Sequence, residues 1–274
     1  MAQEALNETL VSRRQRLWLW VIGTLVLLFL ILPVLIVIPM SFSDSRFLTF
    51  PPPSLSLRWY QAYLGSPEWM DATRVSFTVA ICTTLLATPL GVAAAYGLRV
   101  AEAKFLRTIQ LVLLMPLMVP IIIIAIGVFF VFAKMNLVGT LLGLVLAHTL
   151  MATPFVVVTT LAGLRGFDMN QENVARSLGS PRFAAFIKVT LPQIKPSVIS
   201  GALFAFITSL DEVVIALFIS GGENSTLTKR MFNALRDEID PTIAAISSML
   251  IIVSLSIVLT ASLLAGRKSG QRRA

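Results

Sequence analysis

Six runs of residues in this chain are long, apolar and almost free of charge, at 17–40, 72–97, 108–133, 140–164, 194–220 and 242–265. At 1.5 Å of rise per residue, each can cross about 30 Å of hydrocarbon. A bilayer offers no water to bond a free backbone group, so each run must be a helix. The expected fold is therefore all-α and polytopic, with six transmembrane helices. Composition agrees: 56% of residues are apolar and 13% charged, against about a quarter charged in an ordinary soluble domain. Pro33, Pro89, Pro116, Pro120 and Pro154 lie inside runs, where each removes a helical hydrogen bond and is expected to kink its helix.

A net charge of +8 raises the question of nucleic acid. The positives sit at the ends of apolar runs and form no basic stripe, which argues against that class and makes them a topology signal. Six spans put both termini on one side. That side holds Arg13, Arg14, Arg16, Arg99, Lys104, Arg107, Arg165, Arg176, Arg182, Lys188, Lys195, Arg267, Lys268, Arg272 and Arg273, fifteen of the 22 basic residues. The other seven are balanced by seven acidic residues. The positive-inside rule predicts that both termini and the 165–193 loop are cytoplasmic. The chain then reads as an N-terminal tail (1–16), one transmembrane domain (17–265) and a basic C-terminal tail (266–274). Arg13-Arg14 could open a twin-arginine export signal, but the run that follows is longer than a signal core and no small-residue cleavage site follows it. A retained first span is expected. The single cysteine, Cys82, excludes an internal disulfide.

On the opposite side, 41–71 carries three prolines and the aromatics Trp59, Tyr60, Tyr63 and Trp69, which suit a short helix anchored at the membrane surface. Residues 229–236 predict a second amphipathic helix, and Asp240-Pro241 reads as the N-cap and first residue of the last span.

The loop between the fourth and fifth runs is the most informative segment. Asp168 can cap a helix with Gln171 as reciprocal partner. Val174, Ala175 and Leu178 share a face, and Glu172 can pair with Arg176 across one turn. Gly179 suits a left-handed stop, and Ser180-Pro181 can start a second helix. Two short helices broken at a glycine could seat in a moving partner or simply link two spans.

The spacing decides between them by resemblance. Asn173, Val174, Ala175, then Gly179, then Val189, Leu191 and Pro192 match the spacing of the Glu-Ala-Ala loop of type I permeases of ATP-binding-cassette importers. Asn173 stands where that pattern has Glu, with Glu172 one residue earlier. The resemblance implies that Glu172, Asn173, Val174, Ala175, Arg176, Leu178, Gly179, Ser180, Pro181, Leu191 and Pro192 couple the chain to a cytoplasmic ATP-binding subunit, itself a dimer. It further implies a second permease subunit, a periplasmic solute-binding protein and a bacterial inner-membrane location. The chain would need no cofactor of its own, ATP and magnesium belonging to the ATPase partner. Nothing in the sequence supplies a phosphate-binding loop, a metal-ligand cluster or a nucleophile with its base, so no catalytic or metal residue is expected and the chain alone should not be an enzyme.

Asp211 and Glu212 lie within the fifth run, where a carboxylate is expensive and faces a cavity or a partner. With Ser209 they are candidates for the solute path; alternatively Glu212 pairs across a subunit interface. His148, inside the fourth run, is either a packed, hydrogen-bonded histidine or a functional one. The stretch 209–245 is similar to the spermidine/putrescine class of these permeases, which implies a cationic solute and fits the two carboxylates. An importer for a phosphonate, an opine or another small solute is the alternative. An ATP-independent secondary transporter would call for internally symmetric, paired broken helices, which are not evident.

Overall fold

The computed structural model describes residues 13–101, 105–237 and 239–266. They form α1 (Arg13–Ser41), α2 (Arg58–Gly65), α3 (Pro67–Val100), α4 (Leu106–Leu114), α5 (Ile121–Lys134), α6 (Leu141–Arg165), α7 (Asn170–Ser177), α8 (Arg182–Ala185), α9 (Leu191–Asp211), α10 (Val214–Ile219), α11 (Leu227–Asp237) and α12 (Thr242–Gly266). Short 3₁₀ turns occupy Met115–Leu117 and Gly222–Asn224, and a π turn occupies Phe186–Thr190. Extended pairing among the described residues amounts to one antiparallel bridge, Ser43 with Leu55. The chain divides into two compact units, one of residues up to Tyr63 with 239–250, the other of Leu64–Glu238 with the residues from Ile251 on.

Five stretches can cross a membrane as continuous helices: Leu17–Ser41, Pro67–Val100, Leu141–Arg165, Arg182–Asp211 and Thr242–Thr260. The remaining run, expected over 108–133 as one helix, is instead a bent pair in which Leu106–Leu117 and Ile121–Lys134 meet at 99°. Pro116 and Pro120 together remove two donors four residues apart, and each disfavours helix in the residue before it. Pro120 itself is extended, at ψ 127°. Pro33, Pro89 and Pro154 lie inside continuous helices. Pro154 is buried against its neighbours, whereas Pro33 and Pro89 face outward, and a single freed carbonyl is tolerated in a spanning helix. The fifth span differs from the expected 194–220. It begins at Arg182, passes through the π turn and stops at Asp211; Glu212 is extended (φ −71°, ψ 115°) and helix resumes as α10.

In the larger unit, α3, α6 and α9 pack through small residues, the usual means of close approach where lipid supplies no hydrophobic drive. A Cβ on Gly91 of α3 would lie 2.6 Å from Val156 Cβ of α6. A Cβ on Gly201 of α9 would lie 2.5 Å from Thr159 Oγ1, and one on Gly163 would lie 2.5 Å from Ser197 Oγ. Ala87, Val92, Ala152, Val156 and Ala205 fill the space between these helices. α10 folds back on α5, burying Ile215 and Ile219 with Ala125, Leu144 and Met151. The Phe129 and Phe218 rings lie 6.5 Å apart there.

In the smaller unit the chain after α1 doubles back. The Ser41 and Tyr60 hydroxyls are 2.7 Å apart, the Phe42 and Tyr60 rings 5.2 Å apart, and the Ser56 N–H donates to the Phe42 carbonyl at 2.6 Å. α2 is the short helix expected in 41–71. Its aromatics do not all face outward: Tyr63 is buried, and Trp69, also buried, belongs to the first turn of α3. Side chains 17–35 of α1 are exposed, as suits a segment whose solvent is lipid or another protein.

Candidate functional site

The loop between α6 and α9 begins with a turn rather than the expected capping box. Asp168 Oδ1 accepts the Asn170 N–H at 3.0 Å, Met169 occupies the N-cap without a side-chain bond, and Gln171 Oε1 accepts instead from Gln193 Nε2 at 2.5 Å. α7 ends as expected. Gly179 is left-handed (φ +91°), its N–H donates to the Arg176 carbonyl at 3.0 Å, and the Ser180 N–H donates to the Ala175 carbonyl at 3.1 Å. Those two bonds form a Schellman stop. The second helix starts later than expected, at Arg182, with Pro181 extended at its N-cap and Ser180 making no cap.

The faces of α7 are also sorted differently. Glu172, expected to pair with Arg176, is buried (1% exposed) and points into the protein. Its Oε1 accepts from the Tyr96 hydroxyl of α3 and its Oε2 from the Thr190 hydroxyl at 2.5 Å. Burying a carboxylate is unfavourable unless strong donors replace its water, and two hydroxyls outweigh the few tenths of a kcal/mol that an exposed helical ion pair supplies. Asn173 and Arg176 are exposed. So are the large apolar side chains Val174, Leu178 (83%), Phe183 and Ile187, while Ala175 is half-buried. Leu191 packs beside Leu164, Phe167 and Ile194, and Pro192 lies exposed in the first turn of α9.

The second group lies where α9 breaks. Ser209 is buried and its hydroxyl is 2.8 Å from His148 Nδ1. Glu212, 8% exposed, turns inward and accepts the Ile215 N–H at 2.9 Å, capping α10. Thr228 donates to the Glu212 carbonyl at 2.9 Å. Lys229 donates to the Ser220 carbonyl at 2.5 Å. α10 is thus held by a carboxylate at its N-terminus and an ammonium at its C-terminus, the polarity its dipole favours. Burial pushes the Lys229 pKa below its ordinary value. Asp211 differs from its neighbour: it is exposed and makes no hydrogen bond or ion pair with a described residue. α11 is fastened to the start of α3, where the Leu227 N–H donates to Ser76 Oγ at 2.7 Å and the Arg230 guanidinium pairs with Glu68 and lies 5.0 Å over the Trp69 ring.

The family model described as "Binding-protein-dependent transport system inner membrane component" matches residues 87–269, a span that contains the loop between α6 and α9 and the break after α9. The chain belongs to this family. It is a membrane-spanning permease, the transmembrane subunit of an ATP-binding-cassette importer. Among curated relatives, this permease is 32% identical over 241 residues to the putrescine transport system permease protein PotI of Escherichia coli (strain K12), covering 85% of each chain. It is 27% identical over 246 residues to the spermidine/putrescine transport system permease protein PotC of the same strain, covering 90% of this chain and 93% of that one. The molybdenum transport system permease protein ModB of Mycobacterium bovis is 28% identical over 214 residues. The permease fold recurs in a bacterial ABC transporter involved in import of the acidic polysaccharide alginate, with a TM-score of 0.74 at 15% identity over 94% of this chain and 97% of that one.

The structure ties Glu172 to Tyr96 and Thr190, leaves Gly179 open beyond the end of α7, and separates the exposed Asp211 from the buried Glu212. Sequence reasoning missed Tyr96, Thr190, Thr228 and Lys229. Each bonds a residue far along the chain, so no local spacing pointed to it.

Proposed function

We propose that this permease conducts a polyamine or a similar small organic cation, with both termini and the 165–193 loop on the cytoplasmic side of a bacterial inner membrane. A separate ATP-binding subunit, present as a dimer, docks on that loop and performs the hydrolysis. A second permease and a periplasmic solute-binding protein complete the transporter. The observation that carries the docking is the exposure of four large apolar side chains in this loop, Val174 and Leu178 on α7, Phe183 on α8 and Ile187 in the π turn. Apolar side chains exposed at the end of spanning helices, on the side richest in Lys and Arg, suit a protein groove. Rotation of the docked loop would give alternating access. Polyamine specificity is supported by the names of PotI and PotC and by Asp211, a carboxylate free to meet a cation.

Leu178→Glu should strip the ATP-binding subunit from the purified transporter, and its retention would count against docking here. Vesicles bearing the complete transporter should take up labelled putrescine or spermidine, with Asp211→Asn slowing uptake. Uptake of a molybdate-like oxyanion, untouched by Asp211→Asn, would favour the anion reading that the ModB relative suggests.

A further inference from the structure

Glu172 is the inward-facing residue of a helix whose neighbours Gln171, Asn173, Val174 and Arg176 are exposed. Its two carboxylate oxygens are held by hydroxyls on different elements. Tyr96 stands near the end of α3, and Thr190 closes the π turn that leads into α9. The Tyr96 ring also lies 4.5 Å from Phe186, the first residue of that turn. The Gln171–Gln193 bond adds a further tie. A π turn carries one residue more than an α turn and is a recurrent site of local adjustment. Here the adjustable turn and the docking helix are joined through one carboxylate.

We propose that Tyr96 and Thr190 are positioning residues for energy coupling. Through Glu172 they lock α7 to the end of α3 and to the π turn, so that a displacement of α7 turns α9 instead of bending the loop. Glu172 thereby acts inside the permease, not on the surface of the ATPase. The inference rests on the docking described above, but the clasp has its own readout.

The test uses the complete transporter in proteoliposomes, measuring solute imported per ATP hydrolysed and the ATP-binding subunit retained on purification. In Tyr96→Phe/Thr190→Val the subunit should remain bound while import per ATP falls by about two- to thirty-fold, the usual span for residues that carry coupling. Glu172→Leu should fall similarly. Glu172→Gln should recover most of that loss, because an amide can accept from one hydroxyl and donate to the other. Unchanged import per ATP in the double variant overturns the proposal, as does release of the ATP-binding subunit from it. Equal damage from Glu172→Gln and Glu172→Leu also overturns it, since charge and not geometry would then matter. Leu178→Glu serves as the separate check: an ATPase that stays bound to that variant defeats docking, whatever the clasp variants do.

Discussion

His148 Nδ1 lies 2.8 Å from the Ser209 hydroxyl, joining the middle of α6 to α9 two residues before that helix breaks. Both residues are buried, and His148 Nε2 has no hydrogen-bond partner among the described residues. Ser209→Ala would leave the imidazole with neither nitrogen satisfied, at a cost of about 1–3 kcal/mol. His148→Leu/Ser209→Ala removes both polar groups and should melt above the single Ser209→Ala variant. Thermal unfolding in detergent checks the order, and a Ser209→Ala protein as stable as wild type would contradict it.

Gly179 occupies the left-handed region with no neighbour near its would-be Cβ. Backbone conformation, not space, therefore decides what fits. Gly179→Val should cost about 1–2 kcal/mol and distort the stop between α7 and α8, lowering coupled transport. Gly179→Asn should be nearly neutral, since asparagine visits this region readily. Transport per ATP in proteoliposomes distinguishes the two.

Space decides at the three-helix contact. Gly201→Val and Gly91→Leu would drive side chains into Val156 and Thr159 and should sharply reduce folded protein in the membrane. Gly127→Ala, with nothing within 4 Å, should leave yield and melting unchanged. Fluorescence-detected size exclusion is a sufficient readout.

The opposed caps on α10 give a fourth expectation. Lys229→Met or Glu212→Ala should free the ends of α10 and raise amide exchange across 214–219 by about tenfold, the equivalent of about 1.4 kcal/mol. Asp211→Asn should not, because the exposed Asp211 side chain bonds no described residue. Exchange mass spectrometry thus separates the structural carboxylate from its exposed neighbour, and accelerated exchange in Asp211→Asn would defeat that division.

What was legible in the sequence follows from how far each cause lies along the chain. Length and apolarity alone mark the spans, because lipid permits so few alternatives. The left-handed Gly179 and the cap at Ser66 are local chemistry; Gly179 was readable from sequence, whereas Ser66 emerged only with α3 beginning at Pro67. Asp240, expected as N-cap with Pro241 as first helical residue, instead accepts the Thr242 N–H in a turn ahead of a helix that begins at Thr242. Pro116 and Pro120 marked trouble in the third span, but not a turn of 99°. The break after Asp211 carries neither glycine nor proline. Glu212, Thr228 and Lys229 hold it from as far as 16 residues away. Glu172 was assigned to Arg176 by helical spacing, yet its partner Tyr96 lies 76 residues off. Asn173, which stands where the family pattern has Glu, is exposed, and the carboxylate tied into the fold is that of its neighbour Glu172.

The close approach of α3, α6 and α9 has a mechanical meaning. Helices whose backbones meet at Gly91, Val156 and Gly201 have no slack to absorb a push, so they behave as a stiff rod. Bending is left to the places where regular helical bonding lapses, at 115–120, 186–190 and 212–213. A force applied at one end of such a rod arrives at the other as displacement, with little lost on the way.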